Sequence, residues 1–461
     1  MTGSQGHGRL GAAGGGREPG RRLRAVRAAG RSMACLAGGS VLVVSAFSWY
    51  TYRDLKSGMT TSHAIEQVQQ AAAADGGAPP HLDKSVNLLL IGLDSRRDQD
   101  GKDLPREFVA DELNAGNSEI GGYNTNTLIL MHIPADGGTV QAFSIPRDDY
   151  VDLVNVPGGH PLGKGKIKEA YDQAKYYAEQ QLSRTYSGAE LEHRGRDAGR
   201  AATLLTVQKL LDVPIDHFAE LNLKGFYDVA KVLQPITVCL KKDAADPTFA
   251  RTARTPGGGS GFHGTKGVNQ LDASMALAFV RQRHNLPNGD LDRTHRQQAF
   301  LASVTTKLKQ QGFFDDLGRL RGLLDAVKQD VVLDDQWDIL DFAQQATNLT
   351  GGHTEFRTLP IVRYASLPSA GDVNIVDEAA IRATVRQVFQ GGRPAASPGP
   401  SDQPAESATP DQAQTPTPSQ ARTPDSTPTP TPDQSASSTP AADEDRSAGD
   451  SVAGGAIPCV Y

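Results

Sequence analysis

Three stretches of this 461-residue sequence place acids and arginines at spacings that suit the binding of phosphate groups. The first, Gly92-Leu93-Asp94-Ser95-Arg96-Arg97, follows directly on the apolar run Val86-Asn87-Leu88-Leu89-Leu90-Ile91. An α/β sheet presents functional groups at the carboxyl ends of its strands, so Asp94 and Arg96 are candidates for a metal-assisted phosphate site. In the second, Ser144-Ile145-Pro146-Arg147-Asp148-Asp149, the proline stops a strand ladder where Arg147 and Asp148 are presented. The third joins Phe279-Val280-Arg281-Gln282-Arg283-His284 to Asp290-Leu291-Asp292-Arg293-Thr294-His295-Arg296-Gln297-Gln298. There Arg293, Arg296 and Gln297 fall at i, i+3 and i+4 on one helix face, with Asp290 or Asp292 at the N-cap. Guanidinium groups grip phosphate with two prongs, and helix N-termini attract anions. Arg281, Arg283 and Arg293 gathered around a metal-capable acid therefore read as a pyrophosphate clamp. The plainer reading is a salt-bridged surface helix.

Other chemistries find no support. Gly158-x4-Gly163-Lys164 is nearly a phosphate-binding loop, but Gly165 replaces the Ser or Thr that would hold Mg²⁺. There is no Gly-x-Ser-x-Gly elbow and no His-Glu-x-x-His. His132 and His284 lack partners at metal spacing and read as ordinary structural histidines.

The elements that must position these residues begin near Ser85. Val86–Ile91 reads as a buried strand, and Thr127–Ile133 and Thr139–Ile145 form a hairpin about Gly137-Gly138. Helical spacing covers 166–183, 198–211, 223–233, 270–282, 290–311, 336–348 and 376–389, and further strands are expected at 215–221, 236–240 and 354–359. Strands interleaved with helices predict an α/β fold, a mixed central sheet flanked by helices in α/β/α layers.

The rest of the chain is organised by charge and composition. Residues 1–31 hold seven arginines against the single acid Glu18, giving +6, so the remainder must carry −12 to reach the net −6. That balance argues against a nucleic-acid binder. Ser32 to Tyr52 are uncharged, and at ~1.5 Å per residue such a helix spans the ~30 Å hydrocarbon core. The flanking arginines place the N-terminus in the cytoplasm and all that follows Arg53 outside it. A cleaved signal peptide is the rival reading, with Ala46-Phe47-Ser48 as its only cleavage-like site. Twelve of the 28 prolines fall within 391–450, which lacks Val, Ile, Leu and aromatics and is expected to be disordered. The expected organisation is a basic arm 1–31, a transmembrane helix 32–52, a linker 53–84, a catalytic domain 85–390, the disordered stretch, and a tail 451–461. Cys239 and Cys459 share an oxidising compartment and are either a disulfide tying the tail to the domain or two separate thiols.

Gly92-x-Asp94, Ser144-Ile145-Pro146-Arg147-Asp148, Lys166-Ile167 with Ala170-Tyr171, and Arg281-x-Arg283…Asp290…Arg293…Gln297 closely resemble the LytR-CpsA-Psr family, in its order and spacing. Pro458-Cys459-Val460 resembles the tail of actinobacterial members. The resemblance implies a membrane-anchored, Mg²⁺-dependent phosphotransferase. Such an enzyme takes an anionic glycopolymer from a polyprenyl-pyrophosphate carrier, whose lipid lies in an apolar tunnel, and attaches it to a peptidoglycan hydroxyl through a phosphodiester. Carried over by position, Asp94 is a metal ligand, Arg147, Arg281, Arg283 and Arg293 hold the pyrophosphate, and Lys166 and Gln297 contact substrate. Asp148 and Asp290 orient the arginines.

One segment departs from the family, which usually reads Arg-Ser-Asp-Thr before its second strand. Here it is Asn124-Thr125-Asn126-Thr127, so Asn126 occupies the second metal position without a charge. Two other readings keep the site but change its use: a pyrophosphatase acting on the lipid carrier, and a non-catalytic lipid-glycan binding protein.

Overall fold

The computed structural model describes residues 58–74, 77–113, 115, 122–249, 258–312, 331–337, 354–390, 451–453 and 457–461, with isolated positions between 318 and 330. The chain divides into two units, Met1–Met59 and Thr60–Tyr461. The expected arm 1–31, transmembrane helix 32–52 and stretch 391–450 lie outside the described residues, as does most of the helix expected at 336–348. No helix among the described residues is long and apolar enough to cross a membrane.

The second unit is built on a mixed sheet of eight strands. In chain order they are β1 (Thr60–Ser62), β2 (Val86–Leu93), β3 (Thr125–Ile133), β4 (Val140–Ile145), His217–Leu221, Val331–Asp334, Thr354–Thr358 and Ser451–Ala453. Across the sheet β2 lies at the middle, antiparallel to β3 and parallel to 217–221, while β3 and β4 form the expected antiparallel hairpin. Alternation along the strands decides which face each side chain fills. Leu89, Ile91, Leu128, Leu130, Phe143 and Ile145 pack on one side, under α3 (Gly188–Leu211) and Glu378–Phe389. Leu88, Ile129, Met131, Val140 and Ala142 pack on the other. Both faces are covered, which is why these strands read as continuous apolar runs.

A second core lies under Leu223–Leu233, Ala273–Arg281 and Asp290–Gln310, with Ile236–Leu240, Gly267–Leu271 and Cys459–Val460 as a three-stranded sheet. Cys459 lies beside Cys239 in parallel register and their sulfurs are bonded, the Cα atoms 4.3 Å apart. Two domain boundaries are therefore corrected. Residues 60–74, expected as linker, form β1 and the helix Ala64–Ala74, whose Ala64, Ile65 and Val68 are buried in the first core. At the other end, 451–453 and 459–460 add strands to the two sheets. Each segment is short on its own and gains its structure from the partner strand it pairs with, a signal that local sequence does not carry.

Candidate active site

Asp94 leaves the end of β2 at a bulge. Its register with β3 shifts between Gly92 and Leu93, and a Cβ on Gly92 would stand 2.8 Å from Thr127 Cβ, so only glycine lets the strands approach here. The Asp94 amide then donates to Asn124 O at 2.9 Å, and Arg96 folds back, its Nη1 donating to Asp94 Oδ1 at 3.0 Å and its Nε to Ala115 O at 2.7 Å. From the adjacent strand, Asn126 Nδ2 donates to Asp94 Oδ2 at 2.8 Å, while its Oδ1 accepts from Arg147 Nη1 at 3.0 Å. Arg147 stands beyond Pro146 at the end of β4 and lies 3.3 Å from both Asp148 Oδ2 and Asp290 Oδ1.

The third stretch enters from the second core. Arg281 ends its helix, half-buried, with Nη1 donating to Leu113 O at 2.8 Å. Asp290 opens the next helix but is not its N-cap. Gly289 holds that position at φ 55, where a side chain would be strained, and Asp292 instead accepts from the Asn288 amide at 2.8 Å. Asp290 is thereby free to pair with Arg147 and Arg293 together. Arg293 is 5% exposed, and its buried Nε has no hydrogen-bond partner among the described residues.

Arg296 does not join Arg293 and Gln297 in the clamp. It is fully buried between the rings of Phe262 and Phe279, donating to Gln282 Oε1 at 2.8 Å and to the main chain at Tyr461. Lys166 lies 3.9 Å from Asp148, whereas Lys168, which the sequence did not single out, donates to Asp148 Oδ1 at 2.6 Å.

Arg96, Arg281, Arg283 and Arg293 line one cavity of about 1010 Å³; Arg147 is not among its lining residues. Its polar end carries Asp94, Arg96, Asn126, Arg281, Arg283, Arg293 and Gln297, and its walls run over Leu90, Ile129, Leu223, Phe226, Leu277, Phe300 and Val304. Removal from water disfavours the charged form of a buried base. Burial accordingly pushes Arg281 and Arg293 down to about 10, and lowers Arg283 as well. Asp148 is lowered too, but for a different reason. Burial alone would raise it, but Arg147 and Lys168 outweigh burial and hold it below the usual carboxylate range. A set of cations kept partly desolvated at one end of a cavity is a ready receptor for a polyanion.

Behind this layer lies a buried ionic network that no motif announced. Tyr123 Oη donates to Glu192 Oε1 at 2.6 Å, Arg196 Nε to the same oxygen at 2.7 Å, and Arg196 Nη1 to Gln99 Oε1 at 2.9 Å. It braces the loop after Asp94 against α3. Its residues are scattered over nearly a hundred positions, so spacing could not reveal it.

Mg²⁺ takes oxygen ligands and is commonly held by one or two carboxylates plus substrate phosphates. Asp94, at the cavity's polar end, fits that role. Asn126 offers Asp94 its nitrogen and spends its oxygen on Arg147, so it would have to turn its amide over to serve as a ligand. No group of three or more His, Cys, Asp or Glu among the described residues could hold a metal.

A mixed sheet with an arginine-rowed cavity at its strand ends defines a class of phosphate-handling α/β domain. The LytR_cpsA_psr family model matches residues 49–387, and the chain belongs to that family. Cell wall biosynthesis protein LcpA of Corynebacterium glutamicum is 34% identical over 347 residues, 74% of this chain and 61% of that protein, so the chain spans less than two thirds of it. The polyisoprenyl-teichoic acid–peptidoglycan teichoic acid transferase TagU of Bacillus licheniformis is 25% identical over 66% of this chain and 78% of its own length. The crystal structure of protein gbs0355 from Streptococcus agalactiae has the same fold, with a TM-score of 0.50 at 18% identity over 73% of this chain and 93% of that one.

Proposed function

We propose that this protein transfers an anionic glycopolymer from a polyprenyl-pyrophosphate carrier to a peptidoglycan hydroxyl. The observation that carries the reading is the cavity itself, with desolvated arginines at one end and apolar walls along the rest. That shape and polarity match an amphiphile with a pyrophosphate head and a hydrocarbon tail. The TagU relative, a polyisoprenyl-teichoic acid–peptidoglycan teichoic acid transferase, supports the same substrate class.

In this reading Arg281, Arg283 and Arg293 receive the pyrophosphate, and Arg147, held by Asp148 and Asp290 beyond the end of β4, adds its charge through Asn126 and Asp290 beside them. Phosphoryl transfer needs charge neutralisation and positioning more than covalent help, and fixed guanidinium groups supply both. Mg²⁺, held by Asp94 with phosphate oxygens, would neutralise further charge on the leaving phosphate. Gln297 and the apolar walls fix the carrier and exclude water. The uncharged segment 32–52 would anchor the chain in the membrane with this domain outside the cytoplasm, where the wall is.

The test is to incubate the protein with a polyprenyl-pyrophosphate-linked glycan, Mg²⁺ and a peptidoglycan acceptor. Release of polyprenyl phosphate with attachment of the glycan is expected. Release without attachment would make the protein a pyrophosphatase, and binding without release would make it a carrier-binding protein.

A further inference from the structure

His284 and Asp246 form a dyad at the cavity that the clamp does not use. Asp246 closes the strand Ala244–Asp246 and is buried. Its Oδ1 lies 2.8 Å from His284 Nδ1, and its Oδ2 accepts the main-chain N–H groups of Ser260 at 3.0 Å and Arg283 at 3.3 Å. A carboxylate fixed in this way favours the tautomer with its proton on Nδ1 and leaves the lone pair on Nε2. Among the described residues Nε2 has no hydrogen-bond partner, and the side chain is 49% exposed beside the Phe249 ring.

The turn carrying this imidazole is equally constrained. Gln282 Nε2 donates to His284 O at 2.8 Å, and Gln282 is itself held by the buried Arg296. Asn285 sits at φ 61 with Nδ2 donating to Ala245 O at 3.0 Å. Arg296, absent from the clamp, thus serves the turn instead. Asp246 and His284 line the same cavity as Arg281 and Arg283.

An acceptor hydroxyl must lose its proton as it attacks phosphorus. Asp94, Asp148 and Asp290 are each already engaged by a guanidinium group, so these carboxylates are taken up in holding the arginines. We infer that His284 is the general base for the acceptor hydroxyl and that Asp246 is its positioning residue. This rests on the transferase reading above. Nε2 takes the hydroxyl proton as the acceptor oxygen bonds to the glycan-side phosphorus. The bond from that phosphorus to the bridging oxygen breaks, and its electron pair leaves with polyprenyl phosphate, which receives the proton from the imidazolium.

The experiment compares the full chain with His284→Gln and His284→Ala in the glycan-transfer reaction, alongside calorimetric binding of geranylgeranyl pyrophosphate. Loss of a general base predicts a fall in turnover of about 10²–10⁴-fold. Binding of the pyrophosphate probe should stay within about twofold, because the clamp is intact. Added imidazole should restore part of the turnover of His284→Ala and none of that of Arg283→Ala, which a purely structural histidine would not allow. Variants that turn over within about threefold of the parent, or that lose binding in step with turnover, or that imidazole fails to rescue, overturn the assignment. A parent that binds the probe but never transfers overturns the transferase reading, and the base with it.

Discussion

Asn126 donates its amide hydrogen to Asp94 at 2.8 Å, so it acts as a hydrogen-bond donor to the carboxylate proposed to hold Mg²⁺. Asn126→Asp would set two carboxylates against each other. Without metal they should repel and raise one of the pair's apparent pKa values. Mg²⁺ should then stabilise the variant more than the parent, seen as a larger rise in melting temperature, and half-maximal activity should need less Mg²⁺. Unchanged Mg²⁺ dependence in both measurements would place Asn126 outside the metal shell.

The clamp predicts a split between activity and stability. Arg283 is exposed at the rim of the cavity with Arg147 as a repelling neighbour, so its removal should cost the empty site little. Arg283→Ala should lower turnover by about 10²–10³-fold, the loss seen when one donor to a developing charge is removed. Its melting temperature without ligand should match or exceed the parent's, while the rise on adding pyrophosphate should shrink. Lys at this position should rescue poorly, having no two-pronged contact to offer. A collapse of the melt together with the activity would show that Arg283 is structural.

The bond between Cys239 and Cys459 closes a separation of 220 residues and fastens a strand whose Val460 is buried in the second core. Cys459→Ser should lower stability by about 2–5 kcal/mol in denaturant unfolding. Ending the chain near residue 392 should cost at least as much, because it also removes the main-chain acceptor of Arg296 at Tyr461. A truncated protein as stable as the parent would sink this account.

Glu192 gives the brace behind Asp94 a pH signature. Burial by itself would raise its carboxyl, but Arg196, Tyr123 and Lys175 outweigh burial and hold it at about 2 instead of the ordinary 4.5. A depressed carboxylate contributes stability that is complete above the unfolded value and is lost as pH falls through the folded one. The parent should therefore exceed Glu192→Gln by about 3 kcal/mol at neutral pH. That margin should hold down to about pH 5 and shrink between pH 4.5 and about 2. A margin that does not change with pH would assign the loss to packing.

Five of the eight strands of the central sheet and the three arginine-bearing stretches were legible in the sequence, whereas Thr60–Ser62, Val331–Asp334 and Ser451–Ala453 were not. Strands buried on both faces need unbroken apolar runs, as in Val86–Ile91, and groups presented at strand ends follow directly after them, as Asp94 and Arg147 do. Such signals are local, so they survive in the linear order. Tertiary structure alone decided which way each side chain was used. Arg296 shares a helix with Arg293, yet the Phe262 and Phe279 rings and the Tyr461 main chain, all distant in sequence, draw it out of the cavity. His284 read as an ordinary structural residue because Asp246 stands 38 positions away. Residues 60–74, 451–453 and 459–460 belong to the domain only because strands elsewhere in the chain offer them free edges. Pairing energy across such distances depends on where the chain has already been brought together, and no local pattern of residues records that.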